Sequence, residues 1–64
     1  MIDDICTCYK LITRAGRLSR DERMQILSRV IRMFALATGT RPDVLIKTSG
    51  AGSFPDLFEK LENS

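Results

Sequence analysis

The sequence predicts an all-α fold: a small four-helix domain built around one long central helix (about 20–38), with a helical hairpin over 1–38 and two short C-terminal helices. Three observations predict it. Apolar residues recur at three- and four-residue spacing in successive segments, the spacing of one helix face. Ser19 with Glu22, Thr40 with Asp43 and Ser53 with Asp56 are helix-start patterns of the Ser/Thr-x-x-acid kind. No stretch of extended character has an obvious second strand to pair with. The 64 residues make a single domain, 1–64. A chain of that size buries only about 60% of the surface it exposes unfolded, so oligomerisation is a common source of added stability.

The first helix, about 2–15, presents Ile2, Ile5, Cys6, Tyr9 and Ile12 on one face, widened by Cys8 and Ala15. Lys10, Arg14 and Arg17 line the opposite side. Asp3 and Asp4 at its start and arginines at its end suit the helix dipole. Gly16 stops it, and the short link to Ser19 favours two antiparallel neighbours. That link gathers Arg14, Arg17, Arg20 and Arg23 at one end of the hairpin.

The second helix opens on a capping box, Ser19 and Glu22, and closes on Gly39, which accepts the left-handed conformation. Between them Met24, Leu27, Val30, Ile31, Phe34 and Ala35 merge with Ile26, Met33 and Ala37. The apolar arc covers roughly 200°, against the ~100° stripe of an ordinary surface helix. It needs neighbours on two sides, from this chain or a second copy. Ile26, Val30, Met33, Leu36 and Ala37 are the candidate oligomer interface. Leu36 falls within the polar stripe of Asp21, Gln25, Ser28, Arg29 and Arg32. There it meets either the C-terminal segment or a partner.

A third helix, about 41–48, follows Thr40-Arg41-Pro42-Asp43, with proline in the first turn where its missing N–H costs nothing. The β-branched residues of this segment leave an extended reading open. Gly50-Ala51-Gly52 reads as a flexible connector; it lacks the spaced glycines and Lys-Ser/Thr of a phosphate loop. The last helix, about 54–62, presents Phe54, Leu57, Phe58 and Leu61 and is expected to pack across the long helix. Its charged face, Glu59, Lys60 and Glu62, is expected in solvent.

Chemistry is sparse. The chain has no histidine and two cysteines, so the commonest general base and Cys-His pairing are missing. The carboxylates stand mainly at helix starts, where capping accounts for them, and a core this small leaves little room for a substrate pocket. The expectation is no enzyme, no cofactor and no small-molecule substrate. Cys6 and Cys8 are too close to bridge each other and too few to hold zinc; as small apolar residues with free thiols they fit a reducing compartment. Asp3 and Asp4 stand where an export signal needs positive charge, and no apolar run approaches membrane-spanning length. The expected home is the cytoplasm, away from membranes.

The net charge is only +2, but it is unevenly spread. Residues 5–32 hold Lys10, Arg14, Arg17, Arg20, Arg23, Arg29 and Arg32 against Asp21 and Glu22. Six of these, Arg14, Arg17, Arg20, Arg23, Arg29 and Arg32, are candidate partner- or phosphate-binding residues, fit for an acidic protein surface or duplex DNA.

From Ala35 to Gly50 the sequence ALATGTRPDVLIKTSG resembles a helix-turn-helix core: Ala35 is four before the turn glycine, Gly39, and Leu45 is six after it. The resemblance implies a recognition helix over 41–48, with Arg41, Asp43, Lys47 and Thr48 offered to a major groove. Thr40 and Thr48 depart from the motif's apolar positions, and the preceding helix is more than twice the usual length. The leading expectation is therefore a non-enzymatic regulatory protein that binds a protein target as a helical homodimer. A helix-turn-helix DNA-binding regulator is the alternative.

Overall fold

Ser19 and Gly39 bound the longest helix as their residue types demand. The Ser19 hydroxyl accepts from the Glu22 N–H, and the Glu22 carboxylate accepts from the Ser19 N–H, closing a reciprocal capping box. At the other end Gly39 takes φ +70°. Its N–H donates to the Leu36 carbonyl, and the Thr40 N–H to Ala35 at 2.8 Å; that pairing satisfies carbonyls which the last turn leaves open. The computed structural model describes residues 2–14 and 16–63, with the backbone alone at Ile2. Ala15 and the Ile2 side chain, both expected on the first helix's apolar face, lie outside the described residues.

Four helices follow one another: α1 (Ile2–Arg14), α2 (Arg20–Thr38), α3 (Pro42–Thr48) and α4 (Phe54–Glu62). No strand occurs among the described residues, so the third segment is helical, one residue shorter than expected. Thr40 does not cap it. Arg41 is the residue before its first turn and makes no side-chain cap, because a guanidinium has no acceptor to offer; the Thr40 N–H, which the box would pair with Asp43, donates to Ala35 instead. The expected Thr40–Asp43 box is thus absent.

Gly50-Ala51-Gly52 is no loose connector. Gly50 takes φ +89°, its N–H donates to Lys47, and the Ala51 N–H donates to Ile46, repeating the turn that ends α2. Lys60 Nζ holds the Gly50 carbonyl at 2.7 Å, and the Gly52 N–H donates to Asp56 Oδ2 at 3.0 Å. The turn drives Ala51 into the core.

That core gathers Ile5 and Tyr9 from α1, Leu27, Val30, Ile31 and Ala35 from α2, Leu45 from α3, and Leu57, Phe58 and Leu61 from α4. Cys6, Cys8, Met24, Ile26, Phe34, Ile46 and Phe54 are half-buried around it. The periodicity thus named most of the core, with one error in α1: Ile12, expected inside, is 51% exposed. It lies at the edge of a face centred on Ile5 and Tyr9, where its neighbours cover only about half of it. The radius of gyration, 10.9 Å, is close to the roughly 11 Å expected of a single compact chain this long.

Candidate functional site

The six candidate arginines separate into two groups. Arg20 and Arg23 are engaged by α4. Arg20 pairs with Glu59 and lays its guanidinium 4.9 Å from the centre of the Phe58 ring; the adjacent carboxylate raises its pKa further above the usual value. Arg23 Nε donates to Glu62 Oε1 at 2.9 Å, and its Nη1 to the Leu18 carbonyl at 2.7 Å. Glu59, Lys60 and Glu62, expected on a solvated face, thus make specific contacts as well: the two glutamates with α2, and Lys60, still exposed, with the Gly50 carbonyl. Periodicity could place them on a polar face, but it carries no information about which distant residue would meet them.

Arg14, Arg17, Arg29 and Arg32 are exposed and make no ion pair among the described residues. They remain able to meet an acidic partner. Arg14 ends α1 and Arg17 lies in the link to α2; Arg29 and Arg32 sit in mid-α2.

The candidate interface residues also divide. Val30 is 4% exposed and belongs to the chain's own core, which corrects its assignment to an oligomer surface. Ile26 is half-buried against that core. Both lie where the hairpin closes over the middle of α2's arc. The edge of the arc stays bare: Met33 is 68% and Leu36 85% exposed, and Ala37 is exposed too. Leu36 meets no C-terminal segment. On α1 the matching bare residues are Leu11 and Ile12, at 59% and 51%.

These two edges adjoin. Cys8 of α1 and Met33, Phe34 and Ala37 of α2 line one shallow open groove of about 230 Å³, below the roughly 300 Å³ at which small-molecule sites begin. Cys8, Leu11 and Ile12 share one edge of α1 at i, i+3, i+4, as Met33, Leu36 and Ala37 share one edge of α2. The surface is thus a strip running over both helices. Leu11 was not singled out from the sequence; its spacing from Cys8 was the available signal.

The predicted recognition residues surround α3. Arg41, Asp43, Lys47 and Thr48 are all exposed. Thr48 returns its hydroxyl to the Val44 carbonyl at 2.8 Å, so its polar atom is occupied within its own helix. Ala35 and Leu45 are buried, and Gly39 is left-handed.

Among the described residues no three His, Cys, Asp or Glu side chains converge as a metal site would require, and no helix is long and apolar enough to cross a membrane. These features define a small all-α domain whose distinctive surface is an apolar strip together with arginines that make no ion pair among the described residues. No protein-family model matches the chain, and it has no significant match among curated proteins or solved structures.

Proposed function

We propose that the chain is a small non-enzymatic regulatory protein that acts by binding a protein target as a helical homodimer, in the reducing setting of the cytoplasm. The observation that carries this reading is the apolar strip. Single exposed leucines are ordinary, but Leu11, Ile12, Met33 and Leu36 lie on the two helix edges that meet where Cys8 faces Met33 and Ala37, and clusters of that kind mark association surfaces. The strip serves the contact between copies. Arg14, Arg17 and Arg32, exposed and without acidic partners among the described residues, then supply the polar surface that meets an acidic target.

One observation favours a second reading, a helix-turn-helix DNA-binding regulator with residues 41–48 as recognition helix. Ala35, Gly39 and Leu45 have the burial and backbone geometry their places in that motif require. Against it, α3 has only seven residues, and Thr48 faces water where the motif anchors its second helix with an apolar side chain.

Titration with random-sequence duplex DNA decides between them. The protein-target reading expects no binding even at low salt. Tight binding that collapses between low and moderate salt, and is weakened by Arg14→Glu with Arg17→Glu, would overturn it in favour of DNA, because counterion release gives phosphate contacts that salt dependence.

A further inference from the structure

Two helix edges that form the strip carry more than apolar groups. On α1 the edge continues backward from Cys8 by one turn to Asp4, and on α2 from Met33 by one turn to Arg29. Asp4, Cys8, Leu11 and Ile12 stand at i, i+4, i+7, i+8; Arg29, Met33, Leu36 and Ala37 have the same spacing. Asp4 and Arg29 are both exposed, and neither makes an ion pair among the described residues.

Their places along the strip follow from the groove. Cys8 lies against Met33, Phe34 and Ala37 near the end of α2, and the short link from Arg14 to Arg20 can reach the start of α2 only if α1 runs back along it in the opposite direction. One turn before Cys8 is therefore the end of the strip where α2 finishes. One turn before Met33 is the other end. The strip is acidic at one end, apolar through the middle and basic at the other.

We propose that a second copy of this chain covers the strip in an antiparallel two-fold arrangement, with Asp4 of each copy meeting the arginine end, Arg29 first, of the other. A two-fold axis lying across the groove lays apolar middle on apolar middle and acidic end on basic end. The parallel alternative sets both aspartates at one end and both Arg29 side chains at the other, where like charges repel. Symmetry makes each favourable contact occur twice. Met33 and Leu36 are the most exposed of the strip's large apolar side chains, and each copy's groove is the place that receives them. This pairing deepens the homodimer reading and rests on it.

Sedimentation equilibrium from micromolar to millimolar protein, in low salt, tests both levels separately. The expected result is a dimer that Leu36→Glu converts to monomer without loss of helical circular dichroism, since the Leu36 side chain is 85% exposed in its own fold. Asp4→Arg and Arg29→Asp should each weaken the dimer by about tenfold, and the two together should restore it to within about threefold of the starting protein. A starting protein that stays monomeric at the highest concentration overturns the dimer and this pairing together. A dimer that Leu36→Glu leaves intact, or one in which the double charge reversal gives no rescue, overturns this pairing and leaves the homodimer standing.

Discussion

Tyr9 shows how much one side chain contributes when the core is this small. Its ring is buried and meets Phe58 edge-on, with centroids 6.4 Å apart and planes at 81°. Its hydroxyl donates to Glu62 Oε2 at 2.9 Å, and the same carboxylate takes Arg23 on its other oxygen. Three helices are thus joined through one carboxyl group. Burial, and then the Glu62 carboxylate, push the Tyr9 pKa up to about 12 from 10.0. Below pH 10 both the folded and unfolded chains keep the phenolic proton. Between 10 and 12 the unfolded chain loses it while the folded chain does not, so the contribution to stability declines through that window. Tyr9→Phe should flatten the decline of the urea midpoint between pH 10 and pH 12 relative to the unaltered protein. At neutral pH it should cost about 1 kcal/mol, the net worth of one hydrogen bond. That Tyr9 would be inside was legible from its spacing with Ile5. That Glu62 would receive its hydroxyl was not, because a helical period describes a face and carries no address for a partner 53 residues away.

Among the elements, the ends of α2 and α3 are fixed by the same device. Gly39 and Gly50 both have positive φ, at 70° and 89°, and both donate back into the last turn while the next residue donates one step further. The first was legible because Gly39 follows an unmistakable helix. The second was hidden, since a glycine on either side of Ala51 looks like slack. The same economy bears on Thr40: its N–H goes to Ala35 and is not available to the Asp43 carboxylate, and α3 begins one residue later, after Arg41. Gly39→Ala and Gly50→Ala should each cost about 1–2 kcal/mol, the penalty for a side chain in left-handed backbone, measured by denaturant unfolding. The space around neither position is to blame, because nothing lies within 4 Å of an added Cβ at Gly39 and only Lys60 Nζ, at 3.8 Å, at Gly50.

For the molecule as a whole, two leucines of one helix make opposite contributions. Leu27 is fully enclosed and Leu36 is 85% exposed. Leu27→Ala should cost about 2–5 kcal/mol, comparable to the roughly 3–5 kcal/mol that a core of this size supplies, and the helical signal should collapse at room temperature. Leu36→Ser should shift stability by no more than about 0.5 kcal/mol while lowering self-association. The breadth of α2's apolar arc was legible from the sequence, as was its excess over what one neighbour covers. Which edge would stay bare was not, because that depends on how α1 lies across α2, and helical periods say nothing of crossing geometry. The last helix holds the hairpin from its far end, through Glu59 and Glu62 on Arg20 and Arg23 and through Tyr9. During synthesis, then, a ribosome that has released only the first two helices has released a seam with nothing to close it. Tyr9 lacks its Phe58 and Glu62 contacts until residue 62 has cleared the exit tunnel, and a chaperone that favours bare aromatic and aliphatic surface has that interval in which to act.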